Sequence, residues 1–278
     1  MVTARRVPCL PLAARGWAAR RLAALAAFAA LAVACLSCQA ASPLMIWPVD
    51  PVIAGPQRAV ALWLENRGEN TVSMQVRVFR WSQVEGEDRF EPQGQVVASP
   101  PISQIPPGQR QMVRLIATTP TPPQQEHAYR VLVDELPAPA PSAEAGSAEP
   151  VAAVQLQIRY AIPLFVYGPL TLPARLADAR SLVDGTTVVQ PELWWTVQRD
   201  QGKERVRLIN RGAAHARLTS AGWTGAAGAA EAARQDTLSY VLPYSEKWLD
   251  IAPRPGAGTA TLNATVNGRD ARLPRAEQ

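Results

Sequence analysis

Only two histidines, His127 and His215, occur in 278 residues, and neither stands in a metal-binding spacing such as His-Glu-x-x-His. There is no Gly-x-Ser-x-Gly elbow and no phosphate-cradling loop of the Gly-x-x-x-x-Gly-Lys type, so the sequence lacks the signatures of the common hydrolases and nucleotide-using enzymes. The adjacent carboxylates Asp134 and Glu135 would point to opposite faces of a strand, the wrong arrangement for a cooperating acid–base pair. They read as solvated or turn-facing groups. The sequence therefore reads as that of a non-enzyme that needs no cofactor and no metal.

Cysteine is equally scarce. All three, Cys9, Cys35 and Cys38, fall within the first forty residues. That stretch also holds Arg5, Arg6, Arg15, Arg20 and Arg21 and no carboxylate, followed by an unbroken apolar run from Leu22 to Leu36 and the small residues Cys38-Gln39-Ala40. A basic start, an apolar stretch and a small-residue exit are the order of an export signal. The run is fifteen residues, short of the roughly twenty that a bilayer-spanning helix needs. Residues 1–40 thus read as a signal peptide cleaved before Ala41, with the mature chain exported, without a membrane span and without disulfides. Charge is low throughout, at 18% of residues. Once the five leader arginines are set aside, the formal net charge of +5 disappears, leaving 23 Lys and Arg against 23 Asp and Glu. A nucleic-acid partner loses its electrostatic basis.

What is present is apolar residue (47%), proline (26) and glycine (17), a composition for many short elements joined by turns. From Ser42 onward the apolar pattern has period two. Val72, Met74, Val76 and Val78 alternate with Ser73, Gln75 and Arg77, and Tyr129, Val131 and Val133 alternate with Arg130, Leu132 and Asp134. Eight tryptophans are better explained as sandwich core than as a ligand platform; Trp63, Trp81 and Trp223 fit strand positions. The Ala-rich stretch from Ala226 to Ala233 fits either a short helix or a loop. One strand–turn–strand pattern occurs twice: Ala61 to Gly68 ends in Asn66-Arg67-Gly68, and Arg205 to Gly212 ends in Asn210-Arg211-Gly212. Two copies of one β-sandwich account for this, 42–166 and 167–278, with the boundary near Tyr167-Gly168-Pro169.

The segment from Pro137 to Pro150, PAPAPSAEAGSAEP, has no large apolar side chain to offset its ordering entropy. Directly after it, Val151 to Val166 is among the most apolar runs of the chain. Counting back by twos from Ile162, one face carries Ile158, Leu156, Val154 and Ala152, and the other carries Arg159, Gln157, Gln155 and Ala153. A strand with one apolar and one polar face suits β-strand addition to a partner. It suits a half-buried strand of its own sandwich equally well.

Several stretches in order resemble the periplasmic pilus-assembly chaperones of chaperone-usher systems (the PapD-like family): Trp47 to Val52, Leu64-Glu65-Asn66, Pro100-Pro101, Pro107-Gly108, Val113-Arg114-Leu115, Tyr129 to Pro137 and Ile162 to Phe165. The Trp-Pro start and the extended loop before the last strand are more similar to the archaic or atypical branch. The resemblance implies an all-β chain of two immunoglobulin-like sandwiches in an L-shaped arrangement. It further implies pilus subunits and an outer-membrane usher as partners, and no ATP. In such chaperones a strand is lent to a subunit that lacks its own last strand, and Ala152, Val154, Leu156 and Ile158 are the inserted residues by this reading. Many members grip the subunit's terminal carboxylate with an arginine and a lysine. Here Asp50 and Pro163 fall at those positions, which makes Arg130 and Arg159 the replacement candidates. Glu126 matches the family's interdomain ion-pair glutamate, with Tyr167 or Gly168 where its arginine would be.

Two other readings compete. A secreted pilus subunit or adhesin would carry an alternating N-terminal extension and a single incomplete domain, and a carbohydrate-active secreted enzyme would need an acid–base constellation that the sequence does not supply. The export reading predicts that periplasmic material has an intact mass corresponding to residues 41–278; a mass that includes Cys35 and Cys38 would refute the cleavage site.

Overall fold

A computed structural model describes residues 44–137, 157–177, 184–200, 202–224, 235–252 and 261–276. These form strands β1 (Leu44–Trp47), β2 (Val52–Ile53), β3 (Ala59–Asn66), β4 (Val72–Val84), β5 (Glu87–Pro92), β6 (Val96–Ser99), β7 (Ile102–Ile105), β8 (Arg110–Ala117), β9 (Glu126–Leu136) and β10 (Arg159–Tyr167). They continue with β11 (Thr171–Pro173), β12 (Thr187–Val189), β13 (Leu193–Asp200), β14 (Lys203–Asn210), β15 (Ala216–Thr224), β16 (Gln235–Val241), β17 (Glu246–Leu249), β18 (Thr261–Val266) and β19 (Arg269–Leu273). No helix occurs among the described residues. The Ala-rich stretch from Ala226 to Ala233 lies outside them.

The first sandwich packs the sheet β1-β3-β8-β6 on the sheet β2-β10-β9-β4-β5, with β7 also paired to β4. The second packs β13-β14-β17 on β16-β15-β18-β19. The period-two pattern dictates the core: Leu62, Leu64, Met74, Val76, Val113, Leu115, Val131, Val133 and Leu164 all point inward between the first pair of sheets. Trp195, Val206, Leu208, Leu218 and Leu262 do so in the second. Trp81 and Trp223 are buried on their strands, but Trp63 lies on the outer face of its sheet, stacked on Trp47 at 6.3 Å.

The repeated Asn-Arg-Gly turn is the same device in both sandwiches. Asn66 is fully buried; its Nδ2 donates to the carbonyls of Asn70 (2.7 Å) and Ile105 (2.8 Å), and its Oδ1 accepts from the Gly68 N–H. Asn210 is buried as well; its Nδ2 donates to the carbonyls of Ala214, Val241 and Leu242, and its Oδ1 accepts from the N–H groups of Gly212 and Glu192. Each side chain stitches its own turn to the strand beyond it, satisfying main-chain groups that the sandwich buries. Gly212 has no alternative here: a Cβ would sit 2.3 Å from the Gln190 carbonyl oxygen.

Replacing Asn66 or Asn210 by Ala leaves at least two buried main-chain groups without a partner, and each change should cost about 2 to 4 kcal/mol in urea unfolding. The double variant should be additive, because the two corners lie in different sandwiches; a loss below about 0.5 kcal/mol at either site would refute the assigned role.

Candidate functional site

Among the described residues strand β10 is an edge over most of its length. It pairs antiparallel with β9 from Arg159 to Tyr167, whereas on its other side β2 covers only Phe165 and Val166. Ile162, Leu164 and Val166 are buried and Tyr160 half-buried, while Arg159 and Ala161 on the alternate face are exposed. The register continues to Ile158, half-buried, whose carbonyl accepts from the Glu135 N–H at 3.2 Å. Ala152, Val154 and Leu156 lie outside the described residues.

Main-chain groups of successive strand residues point to opposite edges. The Phe165 N–H donates outward, to the Pro51 carbonyl at 3.3 Å, and the Ile158 carbonyl faces inward to β9. Arg159, Ala161 and Pro163 therefore direct their main-chain groups to the open edge. Pro163 removes an N–H that no ladder partner on β9 requires, which is how a proline is tolerated within a sheet.

At the base of β10 the carboxylate of Asp134 joins three strands. Its Oδ2 accepts from Arg77 Nη2 on β4 (2.7 Å), and its Oδ1 accepts from Arg159 Nε on β10. Asp134 is 8% exposed, so the solvated role expected for it is replaced by a covered carboxylate bridged to two half-exposed arginines. Burial raises its pKa, but the hydrogen bonds from Arg159 and Arg77 outweigh that and hold the carboxyl below its usual range. Arg159 is thus engaged within the fold.

Arg130 differs. It faces Pro163 across the ladder and lays its guanidinium 4.0 Å from the Trp81 ring centroid and 5.5 Å from that of Phe90. Burial pushes the guanidinium below the usual arginine pKa, with Asp88 acting in the opposite direction. Asp88 itself is taken by Lys247 (2.8 Å), Trp81 and Gln83. Among the described residues the Arg130 side chain makes no hydrogen bond or ion pair. Beside it a trough of about 350 Å³ is lined by Phe79, Phe90, Leu132 and Ala161.

Above this trough the same sheet face meets the second sandwich through a separate apolar cluster of Trp81, Ala128, Phe165, Tyr167, Val189, Ala214 and Leu242. At its centre Glu126 Oε2 accepts from the Tyr167 hydroxyl (2.6 Å) and from the His215 N–H (3.0 Å), with His215 Nδ1 also at 3.0 Å. The Phe165 ring lies parallel on His215 at 3.4 Å. Burial and then the Glu126 charge raise the Tyr167 pKa well above its ordinary value, so the phenol stays a donor. Gln83 adds two bonds across, from its Nε2 to the Tyr240 carbonyl and to its Oε1 from the Leu242 N–H. Asp50 is held by Arg175 at 3.2 Å. The roles of His215 and Gln83 were not legible in the sequence, since neither belongs to a pattern. The other histidine, His127, is pushed down to about 4 by burial and the nearby Arg80. Among the described residues no group of three His, Cys, Asp or Glu is placed to hold a metal, and no helix is long and apolar enough to cross a membrane.

Residues 49–172 match the family described as pili and flagellar-assembly chaperone, PapD N-terminal domain. The match covers the first sandwich. Its structure is similar to that of the CsuC–CsuE chaperone–tip subunit pre-assembly complex from the archaic chaperone-usher Csu pili of Acinetobacter baumannii, at 28% identity and a TM-score of 0.67, covering 85% of this chain and 100% of that one. The YadV chaperone shares the fold at 19% identity and a TM-score of 0.52, covering 84% of this chain and 100% of the other. No curated protein matches the chain in sequence.

The Asp134 clamp has a defined pH signature. Its contribution is complete above the unfolded-state carboxyl pKa of about 3.9 and is lost as pH falls through the lower folded value. The stability difference between wild type and Asp134→Asn should be constant from about pH 8 to pH 5 and shrink below about pH 4; a difference that grows toward acid would refute the ion pair.

Proposed function

We propose that this chaperone works in the periplasm, capturing pilus subunits by lending them the strand that leads into β10 and delivering them to an outer-membrane usher. The observation that carries this reading is the open edge of β10 from Arg159 to Pro163 among the described residues, on a strand with one face packed into the core and the other exposed at Arg159 and Ala161. Such an edge offers main-chain groups for a partner strand, while alternate side chains set its register. The chaperone in the Csu complex is paired with a tip subunit, which favours the same class of partner. On this reading residues 1–40 are the export signal, 42–166 the strand-donating domain and 167–278 the second domain, with Glu126 the interdomain contact.

Ala152, Val154, Leu156 and Ile158 are the inserted residues. Burial of each of the three larger side chains contributes about 1.5 to 3 kcal/mol, whereas main-chain bonds add about 0.5 to 1.5 kcal/mol net each without discriminating register. Of the two anchor candidates Arg130 is the better supported, because Arg159 is committed to Asp134. A partner strand laid on the open edge must stop where β2 begins at Phe165; Arg130 lies level with that stop on β9, opposite Pro163, with its guanidinium turned away from the edge over Trp81 and Phe90. A partner's terminal carboxylate would give its guanidinium the acceptor it lacks, in a charge-assisted bond worth roughly 1.5 to 3 kcal/mol.

Leu156→Asp places an unpaired carboxylate in an apolar groove and should abolish co-purification of subunit from periplasm, while Gln155→Asp on the opposite face should leave it unchanged. A Leu156→Asp protein that folds normally by circular dichroism and still brings down subunit at the wild-type yield would overturn strand donation.

A further inference from the structure

Strands β4 and β5 are joined by the two-residue turn Glu85-Gly86, in which both residues have positive φ (55° and 83°), the backbone of a tight hairpin turn. This turn does not end in solvent. The Glu85 carbonyl accepts from the Trp248 indole N–H at 3.0 Å, and the Gly86 carbonyl accepts from the Trp248 main-chain N–H at 3.3 Å. Trp248 lies on β17, an edge of its sheet, and that N–H points away from β14, so the turn supplies the partner that the edge lacks. Behind the indole stand the guanidinium groups of Arg205 and Arg207, 5.0 and 5.4 Å from the ring. A Cβ at position 86 would sit 2.6 Å from the indole Cδ1 and Nε1, so the close approach, like the positive φ, requires glycine. Next to Trp248, Lys247 pairs at 2.8 Å with Asp88 just beyond the turn.

We infer that the β4–β5 turn is a latch that holds the second sandwich at one angle to the first, with Gly86 and Trp248 as positioning residues for capture along β10. The role in capture rests on the chaperone reading; the latch stands on the contacts alone. The bonds at Glu126 reach the second sandwich at His215, just before β15, whereas the turn reaches it on β17. Two domains joined at one packed cluster can rock about it, and a second attachment on a different strand removes that freedom. Both carbonyls of the latch belong to the main chain of the turn, so its strength depends on how closely the backbone at Gly86 approaches the indole. For capture the angle matters because β10 runs into the second sandwich where Phe165 lies on His215. A partner laid along the open edge has only the space beside it that the second sandwich leaves.

The test is NMR on the exported chain, residues 41–278, reading amide hydrogen exchange and residual dipolar couplings. In wild type the Trp248 amide should be protected and both sandwiches should fit one alignment tensor. Gly86→Ala should speed exchange at Trp248 by at least about tenfold while Lys247 and Leu249, whose amides the ladder directs to β14, keep their protection. In Gly86→Ala and in Trp248→Ala each sandwich should still fit its own tensor, but the two tensors should differ. Gly108→Ala is the control: its φ is also positive, at 69°, with nothing within 4 Å of an added Cβ, so it carries the backbone strain without striking the indole and should behave as wild type. An unprotected Trp248 amide in wild type, a shared tensor in both latch variants, or the same separation in Gly108→Ala would overturn the latch. Co-purification from periplasm checks the role in capture, where both latch variants should lose subunit relative to Gly108→Ala. Separated tensors with undiminished recovery remove the positioning role and leave the chaperone reading intact; a wild-type chain that recovers no subunit overturns the chaperone reading and the positioning role with it, while the tensors still decide the latch.

Discussion

A strand edge left open in water presents main-chain donors and acceptors to any chain that can align with them, and most β proteins cover or blunt such edges. Here β2 is only two residues long and seals β10 at Phe165 and Val166 alone. The rest of the site is arranged around that half-closed edge. The buried side of β10 is tied into the core by Ile162 and Leu164, its base is clamped through Asp134, and its far end is fixed where Phe165 stacks on His215. The strand is held by the core, by β9 and by β2, and left open along the edge from Arg159 to Pro163.

Much of this was legible in the sequence, because a sandwich writes its core as alternation. The alternations at Val72 to Val78 and Tyr129 to Asp134 became β4 and β9 with the expected faces inward. The twin Asn-Arg-Gly turns became equivalent corners. The side-chain chemistry around the edge was less legible. Asp134 gave no sign of being buried, since its two arginines, Arg77 and Arg159, lie 57 and 25 residues away. Alternation places a residue on a face; it does not say which charged neighbours the register will bring beside it. Arg130 and Arg159 were indistinguishable in the sequence for that reason. Only the strand pairing shows one of them bound to a carboxylate and the other resting on two aromatic rings.

The same limit applies between the sandwiches. A buried carboxylate such as Glu126 needs donors, and here they all converge on Oε2, while Oε1 is buried without a partner among the described residues. Tyr167 supplies one from the first sandwich, and His215 supplies its main-chain N–H from the second, with its ring nitrogen against the same oxygen. His215 follows the Asn210 corner, whose side chain holds the Ala214 carbonyl in place. The corner that stabilises the second sandwich thus also presents the residue that meets the first.

Pro163 and Arg159 also determine what the edge cannot do. A second copy of the same chain that approached edge to edge would meet a missing N–H at Pro163 and a guanidinium at Arg159, and the contact would end after very few residues against β2. The edge is long enough to begin pairing with a partner that brings its own groove, and too short and interrupted to template copies of itself into a growing sheet. An exposed strand interrupted in this way is protected from polymerising through its edge.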